Sequence, residues 1–325
     1  MVSFGKDVNS MNGVMLVNLG TPQAPEPSAV GAFLTEFLSD PRVIDLPRWI
    51  WIPVLRLAIV PLRRYRSAEA YRKIWTPEGS PLMTGSVSLA KGLQEELKDE
   101  AIVKLAMRYG KPEIRRGLEE LREAGVKELK VLPLYPQYSA TTTESIFDAV
   151  SKELRSMEWF PELESFSKYH DDEGWVCAVA DSITEFQSAA GKPDKLVFSL
   201  HGIPQRYITN GDPYASQCEQ SVRDITLKLG LADEEWVLTF QSRVGRETWL
   251  QPYTDQVLKE LGASTCKHVQ VVCPGFAVDC LETLEEIDMQ NREFFLQSGG
   301  EVFEYIPALN NSDSHIAALA SLVRG

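Results

Sequence analysis

His201 ends the strand-like run within the stretch K-L-V-F-S-L-H-G-I-P at 195–204, and that place makes it the side chain best set for proton or metal chemistry. Leu196, Val197, Phe198 and Leu200 form a short apolar run bounded by glycine and proline, the pattern of a buried strand in a parallel sheet. In an open α/β sheet the carboxyl ends of the strands line the ligand crevice, so a histidine on the last strand residue faces whatever binds there. An imidazole with its ordinary pKa of about 6.5 accepts a proton at cellular pH or offers a neutral nitrogen to a metal. The plain alternative is a histidine hydrogen-bonded to a neighbouring turn, and a second stretch weighs against it.

Residues 269–272 read as another strand, followed by P-G-F-A-V-D-C-L-E-T-L-E-E-I at 274–287. Asp279-x-x-Glu282 has the form of a capping box, which gives Glu282 a purely structural role. Yet Glu282, Glu286 and Gln290 recur every four residues, so a helix places them on one face, with Glu282 nearest the ligand edge. A row of acids leading into a crevice is costly unless something cationic passes along it. With His201 on another strand end, the set offers an imidazole and a carboxylate, borderline ligands suited to a first-row divalent ion.

The elements that must hold these residues alternate as strand and helix, which makes an α/β chain with a parallel sheet. Strands are expected at 13–18, 102–109, 129–134, 196–200, 269–272 and 302–305. Helices are expected at 30–37, 86–97 and 112–124, from a capping box at Thr141-x-x-Glu144, and from Ser312-Asp313 through 322. The halves echo each other. Arg108-Tyr109-Gly110-Lys111 returns as Arg243-Val244-Gly245-Arg246, and strand-Pro136-helix as strand-Pro274-helix, at offsets of 135 (108 to 243) and 138 (136 to 274) residues. A duplicated unit follows, with an amino-terminal half at 1–155, a carboxyl-terminal half at 156–310 carrying His201 and Glu282, and a terminal helix at 311–325 that crosses back onto the first half.

A net charge of -13 excludes nucleic acid as a partner, because phosphate backbones select basic surfaces. No G-x-G-x-x-G or Walker-type loop recommends a nucleotide. Five cysteines without a C-x-x-C pair indicate reduced thiols of a cytoplasmic protein. The amino terminus lacks the apolar stretch of a signal peptide, and no apolar run approaches the ~20 residues of a spanning helix. Against the acidic background, residues 41–66 carry six arginines and a single aspartate, with Trp49, Ile50, Trp51, Ile52, Leu55, Leu57, Ile59 and Val60 between prolines. That composition suits a lip resting in the lipid headgroup region and admitting an apolar ligand; an ordinary core helix with solvated arginines is the alternative.

S-L-H-G-I-P at 199–204, N-G-D-P-Y at 210–214, F-Q-S-R-V-G at 240–245 and D-C-L-E-T-L-E-E-I at 279–287 resemble ferrochelatase, the enzyme that inserts ferrous iron into protoporphyrin. V-N-L-G-T-P at 17–22, Y-R-K-I at 71–74 and L-Y-P-Q-Y-S-A-T-T-T at 134–143 extend the likeness along nearly the whole chain, in order. The resemblance implies a chelatase-like α/β fold of two similar Rossmann-like halves, each a four-stranded parallel sheet flanked by helices, with the porphyrin between them. It implies a lyase that places Fe2+ into protoporphyrin IX with release of two protons, the terminal step of haem biosynthesis. His201 matches the family's active-site histidine, Glu282 the acid opposite it and Glu286 the next member of the acidic row, so these three are the expected metal ligands and the first two the expected catalytic pair. Arg108, Tyr135 and Ser139 match positions lining the porphyrin pocket, and Leu19 a position on the wall facing the macrocycle.

Cys280 stands where some members place a second histidine, and Gln290 where some have an acid. With no cysteine beyond Cys280, no iron-sulfur cluster is expected, and substrate iron is the only metal. The expected partners are protoporphyrin IX, ferrous iron and a membrane surface, with the chain peripheral at its inner face as a monomer or weak dimer. The competing readings are a coproporphyrin or other-metal chelatase, and a porphyrin or haem carrier, which alone would tolerate loss of His201.

Overall fold

The computed structural model describes residues 11–245 and 247–325. The segment read as lacking a signal sequence, up to residue 10, and Arg246 of the repeated motif lie outside them. Two four-stranded sheets, parallel throughout, organise the chain. The first has β1 (Met11–Asn18), β2 (Ala101–Met107), β3 (Val126–Pro133) and β4 (Glu162–Ser165) in the order β2-β1-β3-β4. The second has β5 (Lys195–His201), β6 (Trp236–Gln241), β7 (His268–Val272) and β8 (Val302–Ile306) in the order β6-β5-β7-β8.

The two orders are one topology used twice. In each sheet the chain steps from the first strand to a neighbour on one side and returns to pair on the other, so the crevice opens at the carboxyl ends of the first and third strands. Leu19 and Tyr135 lie just past those ends in one half; in the other, His201 is the last residue of β5 and Pro274 lies just past β7. The Arg-x-Gly echo falls just past β2 and β6, where Gly110 (φ +83°) and Gly245 (φ +78°) share the left-handed conformation. The Pro112 carbonyl accepts from Met107 N–H at 2.7 Å, and the Pro252 carbonyl from Phe240 N–H at 2.8 Å, so both loops fold back on their strands alike.

β4 lies past the boundary expected at 155/156 and yet completes the first sheet. Its sequence, E-L-E-S, is exposed at every position, as suits an edge strand with no apolar face to announce it. The halves are also less separate than two independent cores. Strand alternation sends Val14 and Leu16 of β1 to one face and Met15 and Val17 to the other. The first face shares a single cluster with Leu196, Phe198 and Leu200 of β5 and Leu319 of the last helix. Each fully buried Leu or Phe contributes about 1.5–3 kcal/mol, so this shared cluster holds the halves together. The helix Asp313–Arg324 lies against the helix Pro81–Leu97, with Ile316 filling the space beside Gly92 and Arg324 paired to Glu96 at 3.1 Å.

The carboxyl edges of the two sheets are stapled directly. Asp212, from N-G-D-P-Y, accepts from Ser139 Oγ at 3.0 Å and Ala140 N–H at 2.8 Å. Gln217 accepts from Tyr138 N–H at 2.7 Å, and Gln137 donates to Ser221 at 2.9 Å. The arginine-rich segment 41–66 forms the helix Arg48–Val54, a π-helical turn at Leu55–Ile59 and the start of the helix Val60–Ile74. Leu55 and Val60 are buried with Tyr71 and Tyr109, whereas Trp49 (79% exposed) and Leu57 (81%) face solvent, so the lip is amphipathic. Leu281 and Leu284 of the second half pack into the lip cluster.

Candidate active site

His201 sits at the carboxyl end of β5, half-buried, its ring centre 6.5 Å from those of Trp249 and Phe276. The sequence forces a close approach here: a Cβ on Gly202 would lie 2.9 Å from the Gln241 carbonyl, which accepts the Gly202 N–H at 2.8 Å. His201 Nδ1 lies 2.6 Å from the Gly202 carbonyl. A carbonyl only accepts, so Nδ1 carries a hydrogen, and in the neutral ring it is Nε2 that has the lone pair.

The segment after β7 departs from the capping-box expectation. Asp279 accepts from Tyr305 OH at 2.6 Å, Asn310 Nδ2 at 2.8 Å and Thr283 Oγ1 at 3.1 Å, so it locks the loop to β8 rather than capping with Glu282. The likeness of Thr141-x-x-Glu144 to a capping box fails too: the helix Thr143–Ser156 has no side-chain cap, Thr141 bonds Ser139, and Glu144 accepts from Tyr138 OH. Glu282–Asn291 is a π-helix, closed by i→i+5 bonds, a rare form concentrated at functional sites. That spacing pairs Gln290 with Glu285, whose carboxylate also binds Lys73 at 2.8 Å. Gln290 is thereby turned to Glu285, and Glu286 is the acid that reaches the strand ends.

Glu286 is held by the end of β6: Ser242 N–H donates to its Oε1 at 2.7 Å and the Ser242 hydroxyl to its Oε2. Gln241 Nε2 donates to the Glu282 carbonyl at 3.0 Å. Burial raises the Glu286 carboxyl above its usual range, and Glu282's charge adds to the rise, while Ser242's bonds and His201, when its ring is protonated, act against it. His201, Glu282 and Glu286 thus share one electrostatic neighbourhood. Among the described residues, no three His, Cys, Asp or Glu side chains are grouped as a ready-made metal site. Cys280 is buried beside Glu282, and burial with that charge pushes its thiol well above the ordinary range, which keeps it protonated.

On the first half's side, Tyr135 follows β3 with a buried hydroxyl that has no partner among the described residues. Leu19 follows β1 and packs on the lip cluster, beside the turn where Gly20 (φ +108°) leaves no room for a Cβ under the Tyr109 carbonyl. Tyr71 is buried between Thr21 and the Glu282 charge, which with burial raises its phenol well above normal. Arg108 is committed within the protein: its guanidinium binds Asp40, and Nε donates to Ser145 Oγ at 2.7 Å. Asp40 Oδ2 also accepts from Tyr109 OH at 2.8 Å and Ser145 Oγ at 2.6 Å. Ser139 is buried and spent on Asp212. Of the matched residues, then, His201, Tyr135 and Leu19 lie at or just past strand ends, with Glu286 bonded to the residue after β6 and Glu282 one turn before it, while Arg108 and Ser139 are bonded within the protein. Sequence reading gave no role to Asp40, Ser242 or Tyr71, although Ser242 stands in the motif at 240–245 and Tyr71 in the one at 71–74.

A cavity of about 600 Å³ opens at the ends of β1 and β2, lined among others by Thr21, Trp75, Ser80, Met83, Lys111 and Arg116. It contains no histidine and does not touch His201, so the chemistry is assigned to the β5 edge.

A family model described as Ferrochelatase matches residues 11–325. The chain is 50% identical over 315 residues to a ferrochelatase of Pseudoalteromonas atlantica, covering 96% of this chain and 88% of that one. It is 51% identical over 311 residues to a ferrochelatase of Methylococcus capsulatus, covering 96% and 95%. Among solved structures, SirB from Bacillus subtilis with Fe3+ superposes with a TM-score of 0.60 at 12% identity, covering 97% of this chain and 94% of that one. CbiX, described as the terminal enzyme for biosynthesis of sirohaem in denitrifying bacteria, gives 0.52 at 13%, covering 96% and 98%. At those identities the likeness is one of fold.

Proposed function

The chain belongs to the ferrochelatase family, and from that premise we propose that it inserts Fe2+ into protoporphyrin IX, releasing two protons, as the terminal step of haem biosynthesis. The observation that carries the reading is the His201 ring, whose Nδ1 is tied to the Gly202 carbonyl while Nε2 is left with a lone pair at the crevice edge. The macrocycle lies between the Leu19 and Tyr135 edge and the edge made by His201 and Phe276. Nε2 of His201 takes a pyrrole proton, and the imidazolium so formed is compensated by Glu286 and Glu282.

The acids also meet the metal. Glu286 and Glu282 exchange with waters on Fe2+ and pass it to the pyrrole nitrogens as these lose their protons. A partial ligand set suits this task, because an ion held by a complete protein site would not leave it. His201 acts here as the base; one nitrogen cannot hold a proton and a metal together. The two protons lost from the ring leave through the carboxylates, and the iron keeps its ferrous state.

Protoporphyrin is poorly soluble in water, and the lip offers it an apolar approach. Trp49, Leu57 and Leu62, each more than 70% exposed and flanked by arginines, support a lip seated at the headgroup level of a membrane. No helix of the described residues is long and apolar enough to cross one. No iron-sulfur cluster is part of this proposal. Anaerobic assays of the purified protein with Fe2+ and either protoporphyrin IX or coproporphyrin III test the substrate. Faster insertion into protoporphyrin supports the reading, and a preference for coproporphyrin would replace it.

A further inference from the structure

The lip is joined to the second half by contacts of two kinds. At its base the attachment is packed: Leu281 and Leu284 of the second half sit against the lip's buried cluster, and Lys73 binds Glu285, whose side chain is 6% exposed. At the loop 41–47 the attachment is different. Asp45 pairs with Arg206, and both side chains are open to water, 46% and 38% exposed.

Arg206 lies on the short helix Gln205–Thr209, five residues past His201. That segment runs beside the loop carrying Trp249: Gln205 N–H donates to the Thr248 carbonyl at 2.9 Å, and Leu250 N–H to the Ile203 carbonyl at 3.0 Å. The guanidinium also binds Glu247 Oε1 at 2.6 Å and stacks over the Tyr207 ring at 4.4 Å. Losing Asp45 therefore leaves Arg206 still paired and stacked, and leaves Asp45 in solvent, so parting them strands no buried charge.

We propose that Asp45 and Arg206 form a releasable latch that holds the lip against the second half at the mouth of the His201 crevice, and that the latch must open for porphyrin to enter. This rests on the crevice being the porphyrin site. The strength of the pair suits the role. An exposed ion pair shifts an equilibrium by about fivefold at most, which a ligand overcomes easily, whereas the buried contacts at the base do not yield at that scale. The latch also weakens with salt, since both partners are exposed.

Hydrogen exchange on the porphyrin-free protein tests the latch without any assumption about substrate. In Arg206→Gln and Asp45→Asn, the lip amides of Ile50 and Trp51, both bonded to the Pro47 carbonyl at 3.0 Å, should exchange about two- to fivefold faster at low salt. High salt should bring the wild type to the same rate, and the double variant should match either single one. Lip exchange unchanged in both singles, or additive in the double, would overturn the latch. Stopped-flow quenching then follows protoporphyrin binding, and its association rate should rise by the same factor in the variants. Faster lip exchange with unchanged association would overturn the gating. A wild type that binds no protoporphyrin would overturn the substrate reading and the gating with it, while the exchange data still decide whether the pair holds the lip.

Discussion

Ser242 donates its backbone N–H to Glu286 Oε1 at 2.7 Å, and it does so from a left-handed backbone, φ +67°. Such a conformation in a non-glycine residue costs about 1–3 kcal/mol and persists where the surroundings enforce it. The turn aims one residue's N–H and hydroxyl at a single carboxylate, which keeps a buried acid able to ionise.

Replacing Ser242 by Ala removes the hydroxyl donor that lowers the Glu286 carboxyl. The Glu286 proton is then held more tightly, so the acid limb of the insertion pH profile should move to higher pH. A hydrogen bond to a charged group contributes about 1.5–3 kcal/mol, so a loss of about tenfold in kcat/KM is expected below the shifted limb. An unchanged limb in the pH profile would show that Glu286 does not set it.

Arg108 serves Asp40 before it serves any ligand. Burial opposes the Asp40 charge, but bonds from Ser145, Arg42 N–H and Tyr109, together with the Arg108 guanidinium, hold its carboxyl below the usual range. Arg108→Leu leaves that charge buried without its cation and should destabilise the fold by about 3 kcal/mol in urea unfolding. Adding Asp40→Asn should restore much of the loss. A single variant as stable as wild type would mean the pair is not the anchor of the lip.

Trp49 and Leu57 present apolar surface to solvent with arginines beside them. In flotation with vesicles containing anionic lipid, Trp49→Ala with Leu57→Ala should weaken binding by about tenfold or more, on the scale of the apolar area withdrawn. Equal flotation of variant and wild type would remove the lip as the contact.

His315 links acid stability to the terminal helix. Its ring is fully buried, Nδ1 lies 2.6 Å from the Asn310 carbonyl, and burial pulls its pKa from 6.5 to about 4 against that bond. Because the folded value is the lower one, the unfolded chain takes the proton first. The stability tied to the neutral ring is complete above pH 6.5 and is lost as pH falls toward 4, by about 1.4 kcal/mol per pH unit at the steepest. Urea midpoints of His315→Gln should fall less across that window, and parallel slopes would exclude His315 as the source.

The repeated half was legible because the apolar runs of β1, β3, β5 and β7 are bounded by glycine and proline, and because the Arg-x-Gly loops after β2 and β6 share a left-handed glycine. What escaped has no local signal. β4 is an exposed edge with four residues and no apolar face. Asp279 looks like a cap from its spacing, but its partners Tyr305 and Asn310 lie some thirty residues away. Four-residue spacing likewise assigns Gln290 to the acidic row, whereas the π-helix offsets the register by one and gives it to Glu285.

The proposal that His201 is the base makes its sharpest claim on the separation of binding from chemistry. Anaerobic incubation with protoporphyrin IX and Fe2+, followed by porphyrin fluorescence, should show His201→Ala binding porphyrin within a fewfold of wild type while inserting iron at least a hundredfold more slowly. Equal insertion rates in the two proteins would contradict the account.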